Sequence, residues 1–362
     1  MVGNSTLESI IAENEEITLK KCHKHRQRLK KLNKEFSQNK LNLDSFCRSY
    51  FEHVQPVTSP LALISQIPGS GGSLLSQLFD GHPELNAHPH ELKIGDPKKY
   101  IWPKIDLKDS SERWFEILFE DFVVRYLRHG YKEMEKYSDP FLFIFLPSLQ
   151  RELFLNYLDS LESITLRDVF DAYMTSYFGA WVNNQNILGH KKFITAFTAR
   201  LAMDKRNMES FFKVYPDGRL ISVIRDPKNW YRFAAHHKPL IYADISKALD
   251  LWGKNARAML WNKEHYGDCV CILTFEDLVS KTESVMRYLA EFLNIQFDDI
   301  LVTPTLNKIP IKQNTSFKTE DPGIIVGLPK RYKTLEKEKL EIIDEVTGKL
   351  YEKVLGVVTS IS

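Results

Sequence analysis

Residues 61–79 constrain this chain more than any other segment. Leu61-Ala62-Leu63-Ile64-Ser65-Gln66-Ile67 runs into Pro68-Gly69-Ser70-Gly71-Gly72-Ser73, and Leu74 to Phe79 then opens a helix. A nearly continuous apolar run suits a strand buried on both faces at the centre of a parallel sheet. The glycines clear side chains from the turn, so that backbone N–H groups can close around an anion. The helix N-terminus adds unpaired N–H groups and the positive end of its dipole. Gly69, Ser70, Gly71, Gly72, Ser73 and Leu74 are therefore a candidate phosphate cradle, with hydroxyl donors from the two serines. A turn that only caps a helix fits the same pattern. The nucleoside triphosphate loop is a poor match, because it needs Lys and then Ser or Thr after its last glycine. Here Ser73 follows Gly72 directly.

Further strands are expected at 193–198, 220–224 and 269–274, and helices at 204–214, 245–265, 282–293 and 335–355. Alternating strands and helices predict an α/β fold, a P-loop-like parallel sheet flanked by helices. Residues 111–187 read as a mostly helical insert, with Trp114, Phe115, Leu118, Phe119, Phe122 and Val123 at helical spacing. Residues 1–55 read as a helical extension and 56–362 as the α/β domain. The basic run Lys20 to Lys31 gives the extension a solvated face, and self-association through it is an open role. Residues 303–330 carry four prolines and two glycines and are expected to form a long loop.

With 49 basic and 47 acidic side chains, net charge +2, the chain lacks the basic domain of a nucleic-acid binder. Its four cysteines are too sparse for a disulfide framework and point to a reducing compartment. Cys269 and Cys271 are expected to be buried thiols. Cys22, His23 and His25 have no second ligand cluster to make a metal site. The acidic N-terminus is unlike a signal peptide. The longest apolar runs, such as Phe141 to Pro147, are too short to span a bilayer. A cytoplasmic protein without a membrane span is the expectation.

Arg219-Leu-Ile-Ser-Val-Ile-Arg225-Asp226-Pro227 is the second signal: a strand that delivers Arg225 to its carboxyl end, where ligands sit in open α/β sheets, before Asp226-Pro227 breaks it and begins a turn. Its planar fork suits a phosphate. A surface arginine paired with Asp226 is the plainer reading. Two more segments stand in order behind it: Ile272-Leu-Thr-Phe-Glu276-Asp277-Leu278, and Asn314-Thr-Ser316-Phe317 followed by Arg331.

Together these four segments resemble the superfamily of sulfotransferases that use 3′-phosphoadenosine 5′-phosphosulfate (PAPS), over about residues 60–356. The resemblance makes the glycine turn the 5′-phosphosulfate loop and Arg225 the 3′-phosphate ligand. It adds Asn314, Ser316, Phe317 and Arg331 to the nucleotide site. It implies PAPS as donor, 3′,5′-ADP as product, no metal, and a small-molecule or glycan acceptor bearing a hydroxyl or amine. A general base is implied after the phosphate-binding helix. Glu91 fits its spacing best, with His90 and His88 as rivals in what reads as a polar loop. His236 and His237 are weaker candidates for the acceptor side. Tyr126, Tyr131, Tyr173, Tyr177 and Trp181 of the insert are candidates for acceptor contacts, although core packing accounts for most of them.

Two positions depart from the family pattern. Gly69 stands where a basic residue meets the sulfuryl group, and Phe233 stands where a serine would meet the 3′-phosphate. Lys93, Arg200 and Lys228 are candidates for the missing charge. The alternative to an active enzyme is a catalytically impaired nucleotide-binding or interaction protein on the same scaffold.

Overall fold

A computed structural model describes Gln27, Lys30, Tyr50 and residues 53–95, 101–124, 143–311 and 335–358. The rest of the N-terminal extension, together with Tyr126, Tyr131, Asn314, Ser316, Phe317 and Arg331, lies outside the described residues.

In chain order the main elements are β1 (Leu61–Ile64), α1 (Gly72–Phe79), β2 (Leu85–Glu91), α2 (Ser111–Leu118), α3 (Pro147–Asp159), α4 (Leu166–Ala180), β3 (Phe193–Phe197), α5 (Lys205–Val214), β4 (Arg219–Ile224), α6 (Pro227–His237), α7 (Ile245–Tyr266), β5 (Val270–Thr274), α8 (Phe275–Ser280), α9 (Thr282–Phe292), β6 (Thr305–Leu306), β7 (Ile309–Pro310) and α10 (Lys337–Leu355). The chain divides into two compact units. One comprises Met1–Thr58, Lys93–Gly130 and Ile144–Val182; the other comprises Ser59–Leu92, Tyr131–Phe143 and Asn183–Ser362.

The second unit holds a five-stranded sheet in the order β2-β3-β1-β4-β5, with every pairing parallel. All four residues of β1 and all five of β5 are buried, as expected of strands covered on both faces. Ile64, Leu75, Leu78, Phe79, Ile221, Leu273, Val285 and Leu289 belong to one apolar core beside the sheet. Parallel strands share one carboxyl end, so the chain leaves β1, β3 and β4 at the same edge.

Three local expectations are corrected. The segment read as a polar loop around His88 is the strand β2, joined to β3 by Leu85↔Phe193 and Asn86↔Ile194. Its two histidines and Pro89 do not look like a strand. β2 lies at the sheet edge, however, and its ladder is irregular between Ala87 and Glu91, around Pro89. Edge strands tolerate a residue that cannot donate to the ladder. The turn expected after Asp226 is the start of α6: Pro227 takes the first helical position and the Asp226 side chain accepts from the N–H of Asn229 at 2.9 Å. Within the expected late loop, β6 and β7 form a short hairpin through Asn307 and Lys308, both at positive φ.

In the first unit, α3 packs on α4. A Thr165–Asp168 capping box starts α4. Tyr173 and Tyr177 are fully buried and Trp181 is 3% exposed. Tyr177 packs on Phe145 at 4.9 Å between ring centroids, and Trp102 stacks on Phe170 at 5.0 Å. Tyr173, Tyr177 and Trp181 thus belong to the unit's own core, the packing role expected for most of these aromatics. Buried Glu120 accepts from the N–H of Lys93 and from the Tyr173 hydroxyl. No helix among the described residues is long and apolar enough to cross a membrane.

Candidate functional site

The turn from β1 into α1 lies wholly within the second unit. β1 hands over to Ser65, Gln66 and Ile67, which hydrogen bonds to three other segments hold in place. Ser65 Oγ donates to the carbonyl of Thr198 at 2.7 Å, Ile67 N–H donates to Asn255 Oδ1 at 3.1 Å, and Gln66 Oε1 accepts from Val223 N–H at 3.4 Å. Trp230 Nε1 donates to the carbonyl of Pro68 at 3.0 Å. The turn is thus clamped before its first glycine.

Gly69 and Gly71 have φ of +87° and +96°, a conformation that disfavours any side chain. Close neighbours also exclude one. A Cβ on Gly69 would fall 2.6 Å from Cε1 of Phe233, and one on Gly71 would fall 2.5 Å from Cδ2 of Phe275. At Gly72 a Cβ would collide with Gln66 and Phe197. α1 begins at Gly72 with no side-chain cap, so its leading N–H groups face out of the helix end. Ser70 is 1% exposed, and its hydroxyl has no hydrogen-bond partner among the described residues. A buried polar atom without a partner is costly unless a ligand or water satisfies it.

Arg225 leaves the carboxyl end of β4, beside β1 in the sheet. It is 6% exposed, and its Nη1 donates to the carbonyl of Gly69 at 2.9 Å. Its guanidinium carbon lies 5.2 Å from the ring centre of Phe233 and 4.7 Å from that of Phe275. The two rings that replace side chains on the turn glycines also flank the arginine. Trp252 Nε1 holds the Arg225 carbonyl at 3.1 Å. One residue on, Asp226 N–H donates to both carboxylate oxygens of Glu276 at 3.3 Å. Burial pushes the Glu276 carboxyl above its ordinary range, while this N–H and the Arg225 charge pull it back.

Glu91 is the last residue of β2 and pairs with Phe197, which in turn pairs with Ile64. It therefore sits at the same sheet end as the turn, two strand spacings or roughly 10 Å across. His88 is fully buried, its Nδ1 2.8 Å from the carbonyl of His90, and the two rings meet edge to face at 4.3 Å. His90 is partly exposed. The strand thus presents Glu91 and His90 at the surface and sequesters His88.

Among the candidates for the missing charge, Lys228 is ion-paired to Asp344 at 2.7 Å. Arg200 follows β3 at positive φ; its N–H donates to the Gln66 carbonyl at 3.0 Å and its Nη2 to the Tyr242 hydroxyl at 2.9 Å. Lys93 belongs to the first unit, where its ammonium lies 4.8 Å from the Phe122 ring centre. His236 and His237 are exposed at the end of α6, and His237 stacks on Phe233 at 5.5 Å.

The sequence reading missed the bracing roles of Trp230, Trp252, Phe275 and Glu276. Glu276 was visible only as part of a motif, with nothing to say that it holds the arginine's loop.

A solved structure described as the sulfotransferase domain from the curacin biosynthetic pathway aligns with a TM-score of 0.51 at 18% identity, over 82% of this chain and 99% of that one. The sulfotransferase domain of the olefin synthase from Synechococcus PCC 7002 aligns with a TM-score of 0.42 at 16% identity, over 85% of this chain and 92% of that one. No curated protein matches the sequence. The family model described as "Sulfotransferase family" matches residues 60–299, more than half of the chain, and the chain belongs to that family.

Proposed function

We propose that the chain transfers a sulfuryl group from PAPS to a hydroxyl or amine of a small-molecule or glycan acceptor. The observation that carries this reading is the conjunction at one sheet end of an uncapped α1 N-terminus, the partnerless buried Ser70 hydroxyl and the Arg225 guanidinium fixed to Gly69. These groups fit a phosphorylated nucleotide. The donor, when bound, supplies an activated sulfuryl group on its 5′-phosphate. The backbone of Gly69 to Leu74, with Ser70 and Ser73, holds that phosphate by N–H and O–H donation. Arg225 adds positive charge behind the turn, and Asn314, Ser316, Phe317 and Arg331 extend the nucleotide site. Glu91 takes the proton from the acceptor as it attacks, and His90 is the nearer rival because His88 is sequestered.

The absence of a cation at Gly69 favours a second reading, a nucleotide-binding protein of the same fold with little or no turnover. The N-terminal extension, residues 1–55, would then be its docking element. Thermal unfolding with 3′,5′-ADP, PAPS and ATP, followed by an acceptor screen of phenols, sugars and amines with labelled PAPS, separates the readings. A rise in Tm with 3′,5′-ADP and PAPS plus labelled product supports the enzyme. A rise without product supports the second reading. No rise with any nucleotide overturns both.

A further inference from the structure

The amino end of the sheet, opposite the glycine turn, carries a second feature. The chain enters β3 through residues 183–192, and hydrogen bonds hold that loop on several sides. Asn186 is 8% exposed, and its Nδ2 donates to the carbonyls of His82 at 2.8 Å and Leu85 at 3.0 Å. Gln185 N–H donates to Asn307 Oδ1 at 2.8 Å, and Asn307 Nδ2 donates to the Asn183 carbonyl at 2.8 Å. Ser59 Oγ donates to the Lys191 carbonyl at 2.7 Å. The tip of this fixed loop is apolar and faces water: Ile187 is 60% exposed and Leu188 80%.

Cations stand beside the tip. Lys191 Nζ is bonded to Asn186 Oδ1 and the Pro83 carbonyl, both neutral. Lys308 is exposed, and its charge lies close enough to help depress the Lys191 ammonium. Neither lysine forms an ion pair among the described residues. Of the nearby carboxylates, Glu84 pairs with Lys192 at 2.7 Å, Asp80 is buried, and Asp298 caps the turn at Ile300.

We propose that Ile187 and Leu188, with Lys191 and Lys308, form a tip that docks on an anionic lipid bilayer. A pair of protruding side chains is no groove, and it offers far less than the roughly 800 Å² per partner of a stable protein interface. Two copies meeting through this tip would also bring their lysines together. A bilayer asks for less: the apolar pair enters the boundary between headgroups and acyl chains while the lysines reach anionic headgroups. Those headgroups relieve the repulsion between the two ammonium groups. The proposal does not depend on the nucleotide reading, and docking here leaves the glycine turn at the far end of the sheet.

The test is co-sedimentation of the full chain with phosphatidylcholine vesicles, with and without phosphatidylglycerol, at low and high salt. Circular dichroism checks the folding of each variant. The chain is expected to sediment with the anionic vesicles, to stay in solution with the neutral ones, and to be released by salt. Combining Ile187→Ser with Leu188→Ser is expected to lower the partition coefficient by about tenfold or more, the scale of one aliphatic side chain withdrawn from water. Lys308→Gln is expected to lower it about fivefold, the scale of one lysine at an anionic surface. All three side chains are exposed, so these variants alter the surface and leave the core intact. No binding to anionic vesicles, or an unchanged partition in the double variant, would overturn the proposal. Equal binding to neutral vesicles, or an unchanged partition in Lys308→Gln, would overturn it as well, by removing the part played by charge. A dimer in analytical ultracentrifugation that the double variant abolishes would assign the tip to a second copy instead.

Discussion

Nη1 of Arg225 donates to the carbonyl oxygen of Gly69 at 2.9 Å, joining positions 156 residues apart. The motif arginine is therefore part of the turn's framework. The family resemblance assigns it to the 3′-phosphate, under which its loss would change AMP binding much less. With the bond to Gly69, Arg225→Ala is expected to weaken 3′,5′-ADP by about 1.5–3 kcal/mol, the scale of hydrogen bonds to charged groups, and to weaken AMP as well. Calorimetry with both ligands decides it. Unchanged AMP affinity would show that the brace is dispensable.

Glu91→Gln keeps the shape of the last residue of β2 but cannot accept a proton. Turnover is expected to fall by about a hundredfold or more, the lower range of general-base contributions, with 3′,5′-ADP affinity nearly unchanged. His90→Ala and His88→Ala are the comparison variants. Normal turnover in Glu91→Gln, with collapse in either histidine variant, would move the base to that histidine.

Gly71→Ala places a methyl group 2.5 Å from the Phe275 ring at a φ of +96°. The left-handed conformation alone costs a non-glycine residue about 1–2 kcal/mol, and the collision adds to it. Urea unfolding is expected to show at least that loss, together with weaker nucleotide binding. Native stability in this variant would mean that the turn and Phe275 can separate without penalty.

Lys191 donates to the carbonyl of Pro83 at 2.7 Å and to Asn186 Oδ1 at 3.1 Å. Burial, with Lys308 nearby, pulls its ammonium down from 10.5 to about 8. The folded state then releases this proton earlier than the unfolded chain does. Stability from this group is expected to rise with pH between about 8 and 10.5, because the unfolded state binds more protons there. Lys191→Met should flatten that segment of a stability-against-pH curve. An unaltered slope would assign the dependence to another group.

The fold was legible where hydrophobic pattern and breakers agree. β1, β4 and β5 are largely apolar runs, and the glycine turn is one of the breakers that bound them. β2 was hidden because its histidines and Pro89 carry no strand signal, and only pairing with β3 makes it one. Half of the site was legible for the same reason: Gly69 to Ser73 and Arg225 are local signals. The contact between Gly69 and Phe233 was not, because it joins a turn to a helix face more than 160 residues later (233 minus 69). The sequence showed two separate departures from a family pattern, and the structure places them against each other.

β1 is third in the sheet order, yet it is the first of the five strands to be synthesised. Its neighbours are β3 and β4, and the last residue of β4, Ile224, emerges 160 residues after Ile64 (224 minus 64). At about 5–20 residues per second, ribosomal synthesis takes roughly 8–30 s to supply that partner. Until Phe197 is made Leu61 to Ile67 has no ladder partner on either side, and until Ile224 is made it lacks the one on the β4 side. Nascent chains released before β4 is made would lack both that strand and the arginine that ties down the turn, so the turn acquires its brace only late in translation.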